Sequence, residues 1–201
     1  MHQSSLDKMK WFVNTYLVDR RCANQVIYDV GSFDVNGSYK QLFDLPNWRY
    51  IGLDAQAGLN VDIVLHSPYS WRDLKSNSAD VVVSGQAFEH IEWFWLTILE
   101  IERVLKPGGI CCILAPAAGR EHRFPVDCWR FYPDGLKALA RFAGLETLVA
   151  ETNWSPPKYE DGSEEWKDSV LIVMKSKSSM WKRINRLVRR RMLQTALALG
   201  H

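Results

Sequence analysis

Three consecutive valines, Val81-Val82-Val83, set between Asp80 and Ser84, constrain this chain more than any other stretch. Successive side chains of a strand point to opposite faces, so a run without polar alternation needs apolar cover on both sides. A parallel sheet clothed by helices provides that cover. Residues 25–30, 49–53, 61–65 and 110–114 read as further short strands rich in Val, Ile, Leu and Tyr, and 146–151 with 169–174 read as an antiparallel pair at one edge.

Between these strands the hydrophobic period changes to that of a helix. Met9, Trp11, Phe12, Tyr16 and Leu17 recur at helical spacing over 5–20, behind serines suited to cap a first turn. Ile91, Phe94, Trp95, Ile98, Ile101 and Leu105 predict a second helix over 91–105, stopped by Pro107-Gly108-Gly109. A third is expected over 133–142, closed by Gly144. Alternation of strand and helix gives a three-layer α/β sandwich with a mostly parallel seven-stranded sheet and an antiparallel C-terminal edge. No internal repeat interrupts it.

Charge divides the chain in two. Eight of its 25 Lys and Arg lie from Lys175 onward with no acid among them, which leaves 17 basic against 23 acidic residues in the body. We therefore expect one domain over 1–176 and a basic amphipathic tail over 177–201. A helix over 179–199, with Trp181, Ile184, Leu187, Val188 and Met192 on one side, suits anionic lipid; RNA is a weaker alternative, and a solvated or docked extension the plainest one. No apolar window is long enough to span a bilayer and the polar start lacks the layout of a secretory signal, so a cytoplasmic protein is expected, peripheral at the inner membrane face if the tail binds lipid. Cys22, Cys111, Cys112 and Cys128 form no C-x-x-C pair or regular framework, and reduced thiols are the default.

The chemistry concentrates in the first turn, Asp29-Val30-Gly31-Ser32-Phe33-Asp34-Val35-Asn36-Gly37, where the first strand is expected to turn into a helix. In a parallel sheet, ligands bind beyond the carboxyl ends of the strands near such a turn. Gly31 lets backbone approach a ligand closely. Counting G-x-G-x-x-G from it puts Phe33 and Asn36 at the other glycine positions, which argues against a pyrophosphate. Asp29 would repel phosphate yet accept hydrogen bonds from an ammonium group. Asp54, 23 residues beyond Gly31, suits the two hydroxyls of a ribose. An amino acid joined to a nucleoside without phosphate satisfies both carboxylates, and S-adenosylmethionine is such a molecule.

Together with Ser78-Ala79-Asp80-Val81-Val82-Val83, Glu89-His90 and Val104-Leu105-Lys106-Pro107-Gly108-Gly109, these residues resemble the class I S-adenosylmethionine-dependent methyltransferases, in particular small bacterial methyltransferase-domain proteins. The resemblance runs from Val26 to Met174. It implies a Rossmann-like fold and a cofactor held by Asp29, Gly31, Ser32 and Gly37 of the first motif, by Asp54 and Ala55 at the ribose, and by Gln86 and Ala87 near the sulfonium. His66 stands where many relatives carry an acid for the adenine amino group. Phe33 replaces a glycine of the pattern.

Methyl transfer needs the acceptor atom aligned behind the sulfonium carbon, and a base only where the acceptor carries a proton. Candidates are His90, His122 and Asp127, the last two in a loop that also holds Arg120, Glu121, Arg123, Arg130 and several aromatic residues. Asp127 and Arg130 are also spaced for a local ion pair. His90-Ile91-Glu92 spells the H-x-E of zinc deaminases without the P-C-x-x-C that completes their ligand set, so no metal is expected. The expected activity is methyl transfer from S-adenosylmethionine to an oxygen or nitrogen of a small molecule or glycan. The alternatives are a non-catalytic binding protein of the same fold, anchored by its tail, and an RNA methyltransferase.

Overall fold

The computed structural model describes residues 2–176, Val188 and residues 191–196. A seven-stranded sheet runs through the molecule in the order β3-β2-β1-β4-β5-β7-β6. Its strands are β1 (Gln25–Val30), β2 (Trp48–Asp54), β3 (Ile63–Val64), β4 (Ala79–Gly85), β5 (Leu105–Ala115), β6 (Glu146–Thr152) and β7 (Ser169–Met174). β1 to β5 pair in parallel, while β7 pairs antiparallel with both β5 and β6. The expected three-layer architecture is present.

The valine run behaves as its composition requires. Val82 belongs to one apolar cluster, together with Tyr28, Cys111 and Ile113, and packs toward α2 (Phe94–Val104) and α3 (Pro133–Ala143). Val81 and Val83 face the other way, with Ile27, Ile110 and Cys112, toward Met9, Phe12 and Val13 of α1 (Gln3–Tyr16). Adjacent cysteines thus enter opposite layers, and all four cysteines are free thiols. Pro133 begins α3, where a missing N–H costs nothing, and Gly144 ends it at φ 72, a conformation that favours glycine.

The structure corrects several boundaries. α2 begins at Phe94, preceded by a single 3-10 turn, Phe88–His90, and it ends at Val104, before Pro107-Gly108-Gly109, which lies inside β5. Ser4 and Ser5 are not caps: they sit buried within α1, where Ser4 Oγ donates to Asp168 Oδ2 at 2.7 Å and Ser5 Oγ bonds the Tyr39 hydroxyl. No α-helix follows the first turn. Between β1 and β2 the chain makes one 3-10 turn, Lys40–Phe43, so that layer is formed by α1 and by the rings of Tyr39 and Phe43.

Most of the proposed tail helix lies outside the described residues. Residues 191–196 are helical; Leu193 packs against the main core, and the Gln194 side-chain amide donates to Tyr69 O at 2.8 Å and to Glu100 Oε1 at 3.2 Å. Among the described residues, no helix is long and apolar enough to cross a membrane.

Candidate active site

The chain begins its sheet in the middle at β1, moves outward through β2 and β3, then returns to β4 on the opposite side of β1. Strand order therefore reverses between β1 and β4, and a parallel sheet opens a crevice there. A cavity of about 540 Å³ occupies it, within the range of about 300–1,000 Å³ usual for small-molecule sites. Asp29, Gly31, Ser32, Gly37, Asp54, Ala55, Gln86, Ala87, His90 and His122 all contribute to its wall.

At the β1 end, Asp29 is 3% exposed. The Tyr50 hydroxyl donates to its Oδ2, whereas its buried Oδ1 has no hydrogen-bond partner. Burial pushes the Asp29 carboxyl up to about 7; the Tyr50 hydrogen bond opposes that rise and the nearby Asp54 charge adds to it. A buried acceptor without a donor, on a residue of the cavity wall, is suited to a ligand cation. Gly31, next to it, has φ +80, and a Cβ there would lie 2.4 Å from the Ala87 Cβ, so no side chain fits between turn and β4 loop.

Asp54 holds the turn itself. Its Oδ2 accepts the Phe33 N–H at 3.0 Å and its Oδ1 the Gln56 N–H at 3.0 Å, which leaves the remaining lone pairs of a half-buried carboxylate for a ligand. Phe33 is accommodated because the neighbouring loop has Gly58, where a Cβ would lie 2.2 Å from the ring. The substituted glycine position is thus filled by a ring that forms cavity wall. His66 departs from expectation: it is exposed and outside the wall, and Leu65, Pro68, Tyr69 and Trp71 line that side instead. Strand β3 is only two residues long, and side-chain alternation beyond it turns Leu65 inward and His66 outward.

The opposite end is assembled from two loops. The Glu89 carbonyl accepts the Cys128 and Trp129 N–H groups at 2.7 and 3.2 Å, which ties the 120–131 loop to the 3-10 turn after β4. His90 Nδ1 lies 2.6 Å from Val126 O. A carbonyl only accepts, so Nδ1 carries the proton and Nε2 is the free nitrogen; burial lowers the His90 pKa and favours that neutral form. The His122 ring stands edge-on to His90 at 4.9 Å and leans on Trp166 at 4.5 Å, and its pKa is also lowered by burial, with Asp127 opposing.

Asp127 is not a free base. Arg130 grips both of its oxygens, at 2.6 and 2.8 Å, and Oδ2 also accepts the His122 N–H at 2.7 Å. These bonds, chiefly those from Arg130, hold its carboxyl well below the usual range. Asp127 is absent from the cavity wall and positions the His122 backbone. The ion pair suggested by its spacing is present; a catalytic role is not supported by where it sits.

Four wall residues carried no readable signal. Tyr39, His2, Phe124 and Val126 line the cavity. Tyr39 arrives there through the bond between its hydroxyl and Ser5, and Gln86, at φ 57, is held by donating to Asp168 Oδ1 at 3.0 Å. His2 rides on the start of α1, which Asp161 fastens by accepting the Gln3 N–H at 2.8 Å.

Residues 29–113 match a family model described as a methyltransferase domain. Among solved structures, the chain is similar to the 1,6-didemethyltoxoflavin N1-methyltransferase of Burkholderia thailandensis, solved with 1,6-didemethyltoxoflavin and S-adenosylhomocysteine: 14% identity, 87% of this chain and 80% of that one, TM-score 0.65. The cyclase SpnF is as close in shape, with 17% identity, 88% and 84% coverage and TM-score 0.65. The chain also spans 49% of the CurJ carbon methyltransferase chain, at 12% identity over 77% of its own length and TM-score 0.56. At such identities the likeness is one of fold, and this fold carries more than one reaction. No curated protein matches the sequence.

Proposed function

We propose that the chain is a class I S-adenosylmethionine-dependent methyltransferase that methylates an oxygen or nitrogen of a small molecule held at the His90–His122 end of its cavity, a reading supported by the methyltransferase-domain match over residues 29–113. S-adenosylmethionine is the cofactor and supplies an electrophilic methyl group when bound. The observation that carries the reading is that one continuous cavity is lined by Asp29, whose Oδ1 has no hydrogen-bond partner, and by His90 and His122, whose imidazole pKa values burial lowers.

The residues present fit the cofactor. Asp29 Oδ1 offers a buried acceptor for an ammonium group, the open backbone at Gly31 admits the amino-acid portion, and Asp54 stands at the end of β2 for a pair of hydroxyls. Leu65, Tyr69 and Trp71 provide an apolar wall beyond Asp54 for a flat base. In this reading His90 Nε2 accepts the acceptor's proton, while Asp127 and Arg130 keep His122 beside it. Phe124 and Val126, both exposed at the cavity wall, cover the acceptor's apolar part.

Calorimetry with S-adenosylhomocysteine tests the cofactor half, with saturable binding expected for the native chain and at least tenfold weaker binding for Asp54→Ala. The acceptor half is tested by S-adenosylhomocysteine release from panels of small phenols, alcohols and amines. Turnover restricted to carbon acceptors, or to RNA, refutes it.

A further inference from the structure

The tertiary fold brings His122 beside Glu89 and His90, the nearer of which lies 32 residues earlier in the sequence. One ligand atom from each of Glu89, His90 and His122 lies within 4.8 Å of those of the other two. Glu89 is fully buried and neither carboxylate oxygen has a hydrogen-bond partner; the nearest basic atom is His90 Nε2, 3.7 Å from Oε1. A buried carboxylate left without donors is costly unless something else satisfies it. His122 Nδ1 is buried without a hydrogen bond and lies 3.4 Å from Asp127 Oδ2, a carboxylate placed to orient the ring.

We infer that Glu89, His90 and His122 form a binding site for one divalent first-row transition-metal ion with coordination positions open to the cavity. Two imidazoles and a carboxylate suit Mn²⁺, Fe²⁺, Co²⁺ or Zn²⁺ better than a hard ion that prefers oxygen alone. The supports that orient ligands are in place: His90 donates from Nδ1 to Val126 O, which directs Nε2 at the Glu89 carboxylate, and the Arg130–Asp127 pair fixes the His122 backbone. Both histidines are cavity wall, so vacant positions on the ion face the proposed acceptor.

The consequence rests on the methyl-transfer reading above. An acceptor hydroxyl bound to the ion loses its proton to water at a lower pH than it does alone. The oxygen–carbon bond then forms as the sulfur–carbon bond breaks, with the sulfur keeping the electron pair. His90 would thus serve as a ligand in the loaded protein rather than as the base.

The test uses the full chain carrying Cys22→Ser and Cys128→Ser, because both thiols are exposed and would compete for the ion. Stripped with chelator and titrated with Co²⁺, it should bind one equivalent, read from visible absorption, and the separate variants Glu89→Gln and His122→Asn should bind at least tenfold more weakly with unchanged circular dichroism. His122 lies in a partly exposed loop, so its variant keeps the test informative if Glu89→Gln fails to fold. No saturable binding, or equal affinity in His122→Asn, overturns the site. Calorimetry with S-adenosylhomocysteine on the same samples separates the two readings: cofactor binding without Co²⁺ binding overturns the metal site alone, and Co²⁺ binding without cofactor binding sustains the site while refuting methyl transfer.

Discussion

Replacing Asp29 by asparagine separates what the carboxylate does to the fold from what it does for the ligand. The folded carboxyl titrates at about 7 because burial penalises its charge, whereas the unfolded chain ionises it near its ordinary value of 3.8. Between those values the folded state keeps a proton that the unfolded state has released. More protons on the folded side means that stability falls as pH rises through this window, then stays low above about 7. A span of about three pH units at about 1.4 kcal/mol each bounds the penalty at about 4 kcal/mol, and relaxation with water entry brings the expectation to about 1–3 kcal/mol. Asparagine has nearly the same shape and still accepts the Tyr50 hydroxyl, so it lacks the penalty.

Denaturant unfolding of ligand-free protein from pH 4.5 to 8.5 reads this out. The two stability curves should lie close together at pH 4.5, where about a quarter of the penalty is present, and separate in favour of Asp29→Asn by about 1–3 kcal/mol at pH 8, with the melting temperature about 2–4 °C higher per kcal/mol for a chain of this size. The same variant should lose S-adenosylmethionine binding. In the native chain only the ionised fraction is ready for a ligand cation, about a tenth of molecules at pH 6 and about three quarters at pH 7.5, so cofactor affinity should rise roughly five- to tenfold across that interval. Parallel stability curves, or a variant less stable than the native chain at pH 8, would refute the argument.

Gly31→Ala puts a Cβ 2.4 Å from the Ala87 Cβ at a φ of +80; it should cost about 1–3 kcal/mol of stability and weaken S-adenosylhomocysteine at least tenfold, measured by melting and calorimetry. Asp127→Asn releases the bidentate hold on Arg130 and should lower kcat about tenfold or more once an acceptor is known, with cofactor affinity within twofold, since the β1 and β2 ends are untouched. Lys175→Met removes a buried ammonium that donates to Glu102 O, Leu105 O and Asn77 Oδ1 and pairs with the Glu102 carboxylate; about 3 kcal/mol should be lost in urea unfolding.

The sheet and both of its faces were legible because hydrophobic period is a local property. Val81-Val82-Val83 demanded cover on two sides, and both faces are covered. Period alone misjudged what flanks the strands. The turn after Gly31 was expected to start a helix, yet the chain there packs Tyr39 and Phe43 as single rings against α1, a choice made by distant contacts. Ser4 and Ser5 looked like caps because a hydroxyl's local and long-range partners are indistinguishable in sequence; their partners lie 164 and 34 residues away.

Strand ends were predictable as cavity-wall positions, since β1 and β2 carry Asp29 and Asp54 to one crevice through parallel register, Asp29 opposite Gly52. His66 lies outside the cavity wall because one residue of register inverts a side chain, and a strand as short as β3 leaves that register open. By itself the chain of residues determined the layers, the crevice and the acids that enter it, because each follows from spacing along a strand or helix. Only the folded molecule decided that Asp127 serves Arg130, that Tyr50 meets Asp29, and that Glu89, His90 and His122 converge, because those distances depend on loops folding back across the sheet, and no local period records where a loop returns.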